Sequence, residues 1–183
     1  VHHLEHSRSQ RVLWLLEELR LPYEVERYER DPKTLLAPPT LRRVHPLGKS
    51  PVITDGEITV AESGAIVEYL VEQAGDALRP AAGTPERHRY TYWLHFAEGS
   101  AMPPLVMALV FNRIKRAPMP FFARPIAKAI ADKVLDGFIK PDLKRQLAFM
   151  ESELASRPWF TGRAFSAADV MMSFPIEAAS WRG

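Results

Sequence analysis

The sequence lacks cysteine altogether, with none among its 183 residues. This absence excludes disulfide bonds, thiolate metal sites and a cysteine nucleophile. Any thiol chemistry must therefore use a thiol that a bound ligand supplies. The N-terminal His2, His3 and His6 do not predict a metal site either, because neighbouring residues of a strand point to opposite faces.

The chain also lacks a strong charge of either sign and a long apolar run. Its 24 basic and 22 acidic residues leave a formal charge of +2, which argues against a nucleic-acid-binding surface. No segment approaches the roughly 18 consecutive apolar residues of a membrane span, and no signal-peptide pattern is visible. We expect a cytoplasmic protein without an integral membrane segment. Because the sequence starts at Val1 and stops soon after a predicted helix, we also expect residues to be missing at both ends.

Residues 1–75 have the pattern of an α/β unit. From Ser9 the apolar positions Val12, Leu15 and Leu16 recur at the spacing of one helix face. A β-rich segment precedes this helix and another follows it, so a strand–helix–strand opening is predicted. The full predicted order is strand 1–4, helix from 9, strand 23–28, short helix 41–44, hairpin 52–60 and helix 63–74.

The remainder of the chain is predicted to be helical. Residues 76–86 are rich in proline and glycine and have the composition of a linker. Residues 87–183 carry apolar side chains at helical spacing, and Pro103-Pro104 should kink or break the first of these helices. Ser166, followed three residues later by Asp169, predicts a capping box. The expected fold class is therefore an α/β domain followed by an all-α domain.

The hairpin and the helix after it have the form of an anion cradle. Asp55-Gly56 between apolar runs predicts a type I′ turn, and Ser63 is predicted to be the N-cap of the next helix. The free amides of that helix suit a carboxylate, and Glu62 can hold an adjacent ammonium. Ser50-Pro51 begins the first hairpin strand, where a cis bond would expose the Ser50 main chain to an extended ligand. Together these groups describe a site for a γ-glutamyl peptide.

Five short motifs follow one another along the chain. They are H-S-R-S-Q-R-V-L-W-L-L from His6, H-P-L-G-K-S-P-V-I from His45, A-E-S-G-A-I from Ala61, E-G-S from Glu98 and F-S-A-A-D-V from Phe165. In this order they resemble the glutathione S-transferase family, and most closely a fungal and bacterial subgroup of it. The resemblance implies a thioredoxin-like first domain, an all-helical second domain, and a homodimer in which the first domain of one subunit lies against the second domain of the other.

The resemblance also implies a glutathione site in the first domain. In that site Pro51 is cis, and the Ser50 main chain pairs with the cysteinyl part of glutathione. Glu62 and Ser63 hold the γ-glutamyl end. Lys49 and His45 neutralise the glycyl carboxylate. The alternative is that the proline and the capped helix are elements of the fold alone, and that Lys49 is a solvated surface charge.

The sequence leaves open which residue activates the thiol. A cysteine thiol has a pKa near ~8.5, so a transferase must stabilise the thiolate with a hydrogen-bond donor or a helix N-terminus. Family members use Tyr, Ser or Cys for this purpose, and the first twenty residues contain neither Tyr nor Cys. Three candidates remain. The Ser7 hydroxyl can donate to the sulfur, Ser9 is equally suited to an N-cap, and His6 can orient a hydroxyl or water.

The resulting prediction is a glutathione transferase with a role in detoxification. It would bind glutathione as a co-substrate and stabilise its thiolate for attack on a hydrophobic electrophile held against the helical domain. Two alternatives are a non-catalytic glutathione-fold interaction module and a glutathione-dependent peroxidase or isomerase. The absence of cysteine argues against a cysteine-dependent disulfide mechanism and leaves peroxide reduction open.

Overall fold

The first part of the chain forms a four-stranded mixed sheet. The computed structural model describes residues 1–34 and 36–182, so Gly183 of the predicted helical domain lies outside the described residues. The strands are β1 (His2–Leu4), β2 (Glu26–Tyr28), β3 (Val52–Asp55) and β4 (Ile58–Ala61). They lie in the order β2-β1-β3-β4. β1 pairs parallel with β2, whereas β3 pairs antiparallel with both β1 and β4.

Three helices cover the two faces of this sheet. Helix α1 (Ser9–Leu19) connects the two parallel strands, and α3 (Ser63–Gln73) follows the hairpin. These two helices pack together in the main hydrophobic core, which includes Val12, Ile53 and Ile66. The short helix α2 (Leu41–Val44) belongs to a separate cluster, in which Leu41 packs with β1 and β2. This arrangement confirms the predicted thioredoxin-like α/β domain.

The second strand is shorter than the sequence predicts. Residues 23–28 were expected to be extended, but only Glu26–Tyr28 form a strand. Their partner β1 supplies three paired residues, so the ladder ends there. The side chains of Tyr23 and Val25 are 37 % and 45 % exposed, respectively, and therefore contribute little burial to extend it.

The hairpin lies where it was predicted, but the predicted turn type is wrong. Asp55 belongs to β3 and pairs with Ile58, so the two turn residues are Gly56 and Glu57. Of these two, only Gly56 has a positive φ, at 56°. A type I′ turn needs a positive φ at both positions, whereas a type II′ turn needs it at the first position alone. The glycine therefore occupies the turn one position earlier than the Asp-Gly pattern indicates.

The rest of the described chain is helical, as predicted. Five α-helices follow one another: α4 (Pro85–Phe96), α5 (Met102–Arg116), α6 (Arg124–Val134), α7 (Lys140–Ala155) and α8 (Ala167–Arg182). Two π-helical turns, Ala97–Ala101 and Leu135–Ile139, join α4 to α5 and α6 to α7. Helix α8 packs against α1, α3, α4 and α5, so it links the helical part to the sheet domain.

Of the two expected effects of Pro103 and Pro104, a kink or a break of their helix, the break does not occur. The π-helical turn Ala97–Ala101 comes just before them, and the Met102 amide donates to the Ala97 carbonyl five residues back. Both prolines then fall in the first turn of α5. Proline has no amide proton to donate, and the wider π-helical turn lies where the chain approaches the two prolines. The helix therefore continues through residues 85–116.

By length and composition alone, this continuous helix could cross a membrane. The core helices of other proteins can be as long and as apolar, so the burial of this helix has to be considered as well. The side chains of Tyr90, Trp93 and Leu105 are each at most 2 % exposed, and they pack against the rest of the protein. On the same helix Val106, Leu109 and Val110 are 36–47 % exposed, so one face of residues 85–116 belongs to the core and another is exposed.

One half of the predicted capping box at the start of α8 is present: the Asp169 side chain accepts from the Ser166 amide, whereas the Ser166 hydroxyl does not accept from the Asp169 amide. The Asp169 carboxylate accepts hydrogen bonds from the Ser166 amide at 2.9 Å and from the Ser166 hydroxyl at 2.8 Å. Its other oxygen accepts from the Phe160 amide at 2.8 Å. The Asp169 amide donates in turn to the Ser166 carbonyl at 3.0 Å. This network ties the turn before α8 to its first residues.

Candidate functional site

A small cleft with a volume of about 100 Å³ lies where the sheet domain meets the helical part. All six residues predicted to bind glutathione line it: His45, Lys49, Ser50, Pro51, Glu62 and Ser63. Four residues that were not predicted as binding residues complete the lining: Arg8, Leu47, Ala61 and Glu98. The tertiary structure thus brings the two predicted halves of the site into one cavity.

Ser50 and Pro51 lie immediately before β3. The peptide bond between them is cis, which confirms the prediction from the family resemblance. The Ser50 hydroxyl donates to the His2 carbonyl at 3.1 Å and accepts from the Leu4 amide at 3.4 Å. These bonds hold the side chain of Ser50 against β1. Pro51 is buried, whereas Ser50 keeps partial exposure to the cleft.

The start of α3 differs from the prediction that Ser63 is its N-cap. Ser63 is the first helical residue, and Glu62 occupies the cap position with φ 72° and ψ 125°. A positive φ at a residue other than glycine costs of the order of 1–3 kcal/mol and is often found at functional sites. Neither residue caps the helix with its side chain, so the amides of the first turn remain available to an anionic ligand.

A tight turn places His45 and Lys49 at the rim of the cleft. The Gly48 amide donates to the His45 carbonyl at 2.8 Å and closes the turn. Gly48 has φ 56°, and a Cβ at this position would lie 2.7 Å from Cγ of Arg42. Only glycine fits both requirements. Lys49 is exposed and His45 half-buried, so both can meet a ligand carboxylate at the edge of the site.

The candidates for thiol activation lie just behind this cleft. Ser7 is 8 % exposed, and its hydroxyl oxygen is 3.3 Å from that of the cleft residue Ser50. Ser9 is fully buried as the first residue of α1, and the N-cap position is held by Arg8. The expectation that Ser9 is the N-cap is therefore wrong. Its amide instead donates to the Ser7 hydroxyl oxygen at 3.2 Å.

His6 is placed differently from the two serines. It is exposed, with φ 52°, and it does not line the cleft. Histidine tolerates this left-handed conformation better than most residues. Of the three candidates, Ser7 is the one whose side chain reaches a lining residue directly. Among the three candidates, Ser7 is therefore the one that contacts the lining of the cleft.

The two N-terminal histidines diverge, as their strand positions predict. His2 Nδ1 lies 2.9 Å from the Tyr28 hydroxyl oxygen, whereas His3 Nδ1 lies 2.9 Å from the Ser9 hydroxyl oxygen. Within residues 1–34 and 36–182 no group of three or more His, Asp or Glu side chains is arranged to hold a metal ion.

The prediction missed an ion cluster on the helical side of the cleft. Glu98 pairs with Arg11, and its second oxygen lies 3.2 Å from Nε of Arg8. Arg11 also donates to the Met171 carbonyl at 2.7 Å. The guanidinium groups of Arg8 and Arg11 both lie over the ring of Phe174. This cluster joins the start of α1 to the π-helical turn and to α8.

Burial explains the electrostatics of this cluster. The Arg11 side chain is 1 % exposed, and this burial lowers the pKa of its guanidinium, while Glu98 opposes the shift. A buried charge of this kind needs its counterion. The sequence does contain a signal for it: Arg11 is a charged residue next to Val12 and one turn before Leu15, on an otherwise apolar helix face.

Taken together, these features define a class of protein: a thioredoxin-like domain followed by a helical domain, with a cleft suited to an extended anionic peptide. Residues 7–73 match the family described as glutathione S-transferase, N-terminal domain. The chain is 37 % identical over 180 residues to glutathione S-transferase 3 of Schizosaccharomyces pombe, covering 98 % of this chain and 73 % of that relative. It is 34 % identical over 187 residues to glutathione S-transferase 1 of Saccharomyces cerevisiae, covering 98 % and 80 %, respectively. The chain belongs to the glutathione S-transferase family.

Solved structures agree with this assignment. A glutathione S-transferase from Actinobacillus pleuropneumoniae superimposes with a TM-score of 0.76 at 29 % identity, covering 100 % of this chain and 78 % of that one. A sphingomonad glutathione S-transferase, solved in complex with glutathione, superimposes with a TM-score of 0.70 at 25 % identity, covering 100 % and 83 %.

Proposed function

We propose that this protein is a glutathione transferase that binds glutathione in the cleft and holds its thiolate near Ser7 for attack on a hydrophobic electrophile. One observation carries the proposal. In a chain of this family, all six residues predicted to bind glutathione line a single cavity. The similar sphingomonad enzyme was solved with glutathione bound, which supports the same ligand here.

The chemistry of the cleft matches the three parts of glutathione. The Ser50 main chain pairs with the cysteinyl part, next to Pro51. Glu62 holds the γ-glutamyl ammonium, while Ser63 and the first amides of α3 hold the neighbouring carboxylate. At the opposite rim, Lys49 and His45 neutralise the glycyl carboxylate.

The reaction relies on positioning and on stabilisation of the thiolate. The Ser7 hydroxyl donates a hydrogen bond to the sulfur, which favours the charged form of the thiol and lowers its pKa. The thiolate then attacks the electrophile directly, without a covalent enzyme intermediate. The electrophile is held against the helical domain, where proximity to the sulfur supplies much of the rate.

The finer parts of the assignment belong to the same proposal. We place the chain in the fungal and bacterial subgroup, with domains 1–75 and 87–183 joined by the linker 76–86. We propose a homodimer, testable by light scattering, and a role in detoxification. A cytoplasmic location suits the reaction, because that compartment keeps glutathione reduced and abundant.

Calorimetry with glutathione tests the binding site. Alanine at Glu62 or Ser63 should weaken binding by about 10-fold or more, since a hydrogen bond to a charged group contributes about 1.5–3 kcal/mol. Glu57→Ala, in the hairpin turn outside the cleft, is the control and should leave the affinity unchanged. Unchanged affinity in both cleft variants would remove those two residues from the site. If the unaltered protein does not bind glutathione, the proposed function is wrong.

A panel of electrophiles and peroxides separates the possible activities. Ser7→Ala should retain glutathione binding and lose on the order of 10²-fold in kcat/KM for conjugation. Binding without conjugation of any electrophile would indicate an interaction module instead. Peroxide reduction that is faster than every conjugation would indicate a peroxidase.

A further inference from the structure

A row of neighbouring hydroxyl groups leads from a histidine to the edge of the cleft. His3 Nδ1 lies 2.9 Å from the Ser9 hydroxyl oxygen, which lies 2.7 Å from that of Ser7. Ser7 lies 3.3 Å from the hydroxyl oxygen of Ser50, a residue that lines the cleft. Ser7 and Ser9 are both buried, whereas His3 is half-buried. The row therefore connects a titratable group at partial exposure with Ser7, the hydroxyl next to the cleft residue Ser50.

The direction of these bonds depends on the protonation of His3. The Ser50 hydroxyl donates to the His2 carbonyl, so Ser50 can only accept from Ser7. When Nδ1 of His3 carries no proton, Ser9 donates to it, and Ser7 donates to Ser9. Ser7 also accepts from the Ser9 amide at 3.2 Å, so one lone pair of its oxygen remains to accept a proton from a ligand. When Nδ1 is protonated, both bonds reverse, and the Ser7 proton is free to be donated to the Ser50 oxygen or to a ligand beside it.

We propose that His3 accepts the thiol proton of glutathione through Ser9 and Ser7. This inference rests on the proposed function, because it requires a thiol beside Ser7. The thiol S–H bond breaks as its proton passes to the Ser7 oxygen, Ser7 passes its own proton to Ser9, and Ser9 passes its proton to His3 Nδ1. A thiol and a neutral imidazole thus become a thiolate and an imidazolium. Ser7 ends the transfer as a donor to the thiolate.

The surroundings of His3 act on its protonation in both directions. Burial and the nearby Arg27 of β2 lower its pKa, so the imidazole is neutral at neutral pH and can accept a proton, although both effects also make it a weaker base. Glu5, which follows β1, acts in the opposite direction and stabilises the imidazolium once it forms. Glu5 also pairs with Arg27 at 2.5 Å. The partial exposure of His3 allows the proton to leave to solvent between turnovers.

His3 is a positioning residue in this scheme, so its test follows the ionisation of the bound thiol. His3→Asn keeps an amide near the Nδ1 position but cannot take up the proton, and Ser9→Ala interrupts the row. The thiolate absorbance of bound glutathione is titrated against pH, alongside the pH profile of kcat/KM. His88→Gln, which removes an exposed imidazole of α4, is the matched control.

Both relay variants should raise the pKa of the bound thiol toward its ordinary value of about 8.5. Their kcat/KM should fall about 10-fold near pH 7 and approach that of the unaltered protein above about pH 9, where the thiol ionises unaided. Glutathione affinity should change less than about twofold, and His88→Gln should match the unaltered protein.

Several outcomes would overturn the inference. One is an unchanged thiol pKa in both relay variants, with glutathione still bound. Another is an activity loss of equal size at every pH, which would indicate a structural role for His3. If His3→Asn does not fold, Ser9→Ala decides the matter by the same titration. Absence of glutathione binding in the unaltered protein would instead refute the proposed function.

Discussion

The buried ion pair between Arg11 and Glu98 offers the sharpest test of how the two parts of the protein are held together. Glu98→Gln keeps the shape of the side chain and one oxygen acceptor but removes the negative charge. Arg11 then remains buried without a counterion, because its other bond is to the neutral Met171 carbonyl. Since α1 and the π-helical turn meet at this pair, we expect a loss of global stability.

The structure sets the size of that loss. Removing one partner of a fully buried ion pair costs about 3–5 kcal/mol. Arg11 is 1 % exposed, but Glu98 is 30 % exposed, so water screens the pair from one side. We therefore expect a decrease of about 2–3 kcal/mol in the free energy of unfolding. In a chain of this length, that corresponds to a fall in Tm of about 4–12 °C.

Urea unfolding at a fixed protein concentration measures this difference. Lys140→Gln is the control, because it breaks the 2.7 Å pair with Asp136, whose partners are 67 % and 62 % exposed. That variant should lose less than about 0.5 kcal/mol. A double-mutant cycle with Arg11→Gln should give a coupling energy above about 1 kcal/mol. A loss in Glu98→Gln no greater than in the control would refute the reasoning.

Measurements of unfolding also test the strained backbone at Glu62, the tight turn at Gly48 and the histidines of β1. Glu62→Gly should raise the free energy of unfolding by about 1 kcal/mol, because glycine adopts φ 72° without strain. The same variant should bind glutathione about 10-fold more weakly in calorimetry. A decrease in the free energy of unfolding would contradict the first expectation. Gly48→Ala should lower the free energy of unfolding in urea by about 1–2 kcal/mol, because the new Cβ would lie 2.7 Å from Cγ of Arg42. Gly137→Ala is the control, because a Cβ there meets no atom within 4 Å, and it should not destabilise the protein. Burial lowers the pKa of His2 and His3 from 6.5, so the unfolded chain takes up protons first and stability should fall as pH drops below 6.5. A flat stability profile through that range would count against the assignment.

Local patterns predicted the elements well. Apolar spacing located α1, α2 was found at residues 41–44, and the Ser166–Asp169 pair marked the start of α8. These features depend on residues within a few positions of one another, which a sequence displays directly. The errors in the predictions also have local causes. Residue propensity favours Ser63 as the N-cap of α3. Glu62 holds that position instead, with φ 72°, so the helix begins at Ser63, one residue earlier than predicted.

Much of the cleft lining was predictable for a related reason. All six lie between His45 and Ser63, in motifs whose order resembles a known family. The contacts that cross the chain were not predictable. Arg11 meets Glu98 across 87 residues, and Ser7 meets Ser50 across 43. Neither pair follows from spacing, because loop lengths do not specify which surfaces pack together.

The sequence by itself thus determined the fold class, the family and the composition of the ligand cradle. Helix periodicity, turn chemistry and the absence of cysteine are properties of short segments or of the whole composition. Only the tertiary structure decided that Arg8 and Glu98 join the cleft, and that His3 reaches Ser7 through Ser9. These contacts form because α1 packs against β1 and α8. Since the charged groups and hydroxyls involved are buried, each needs a neighbouring group of the protein as its partner.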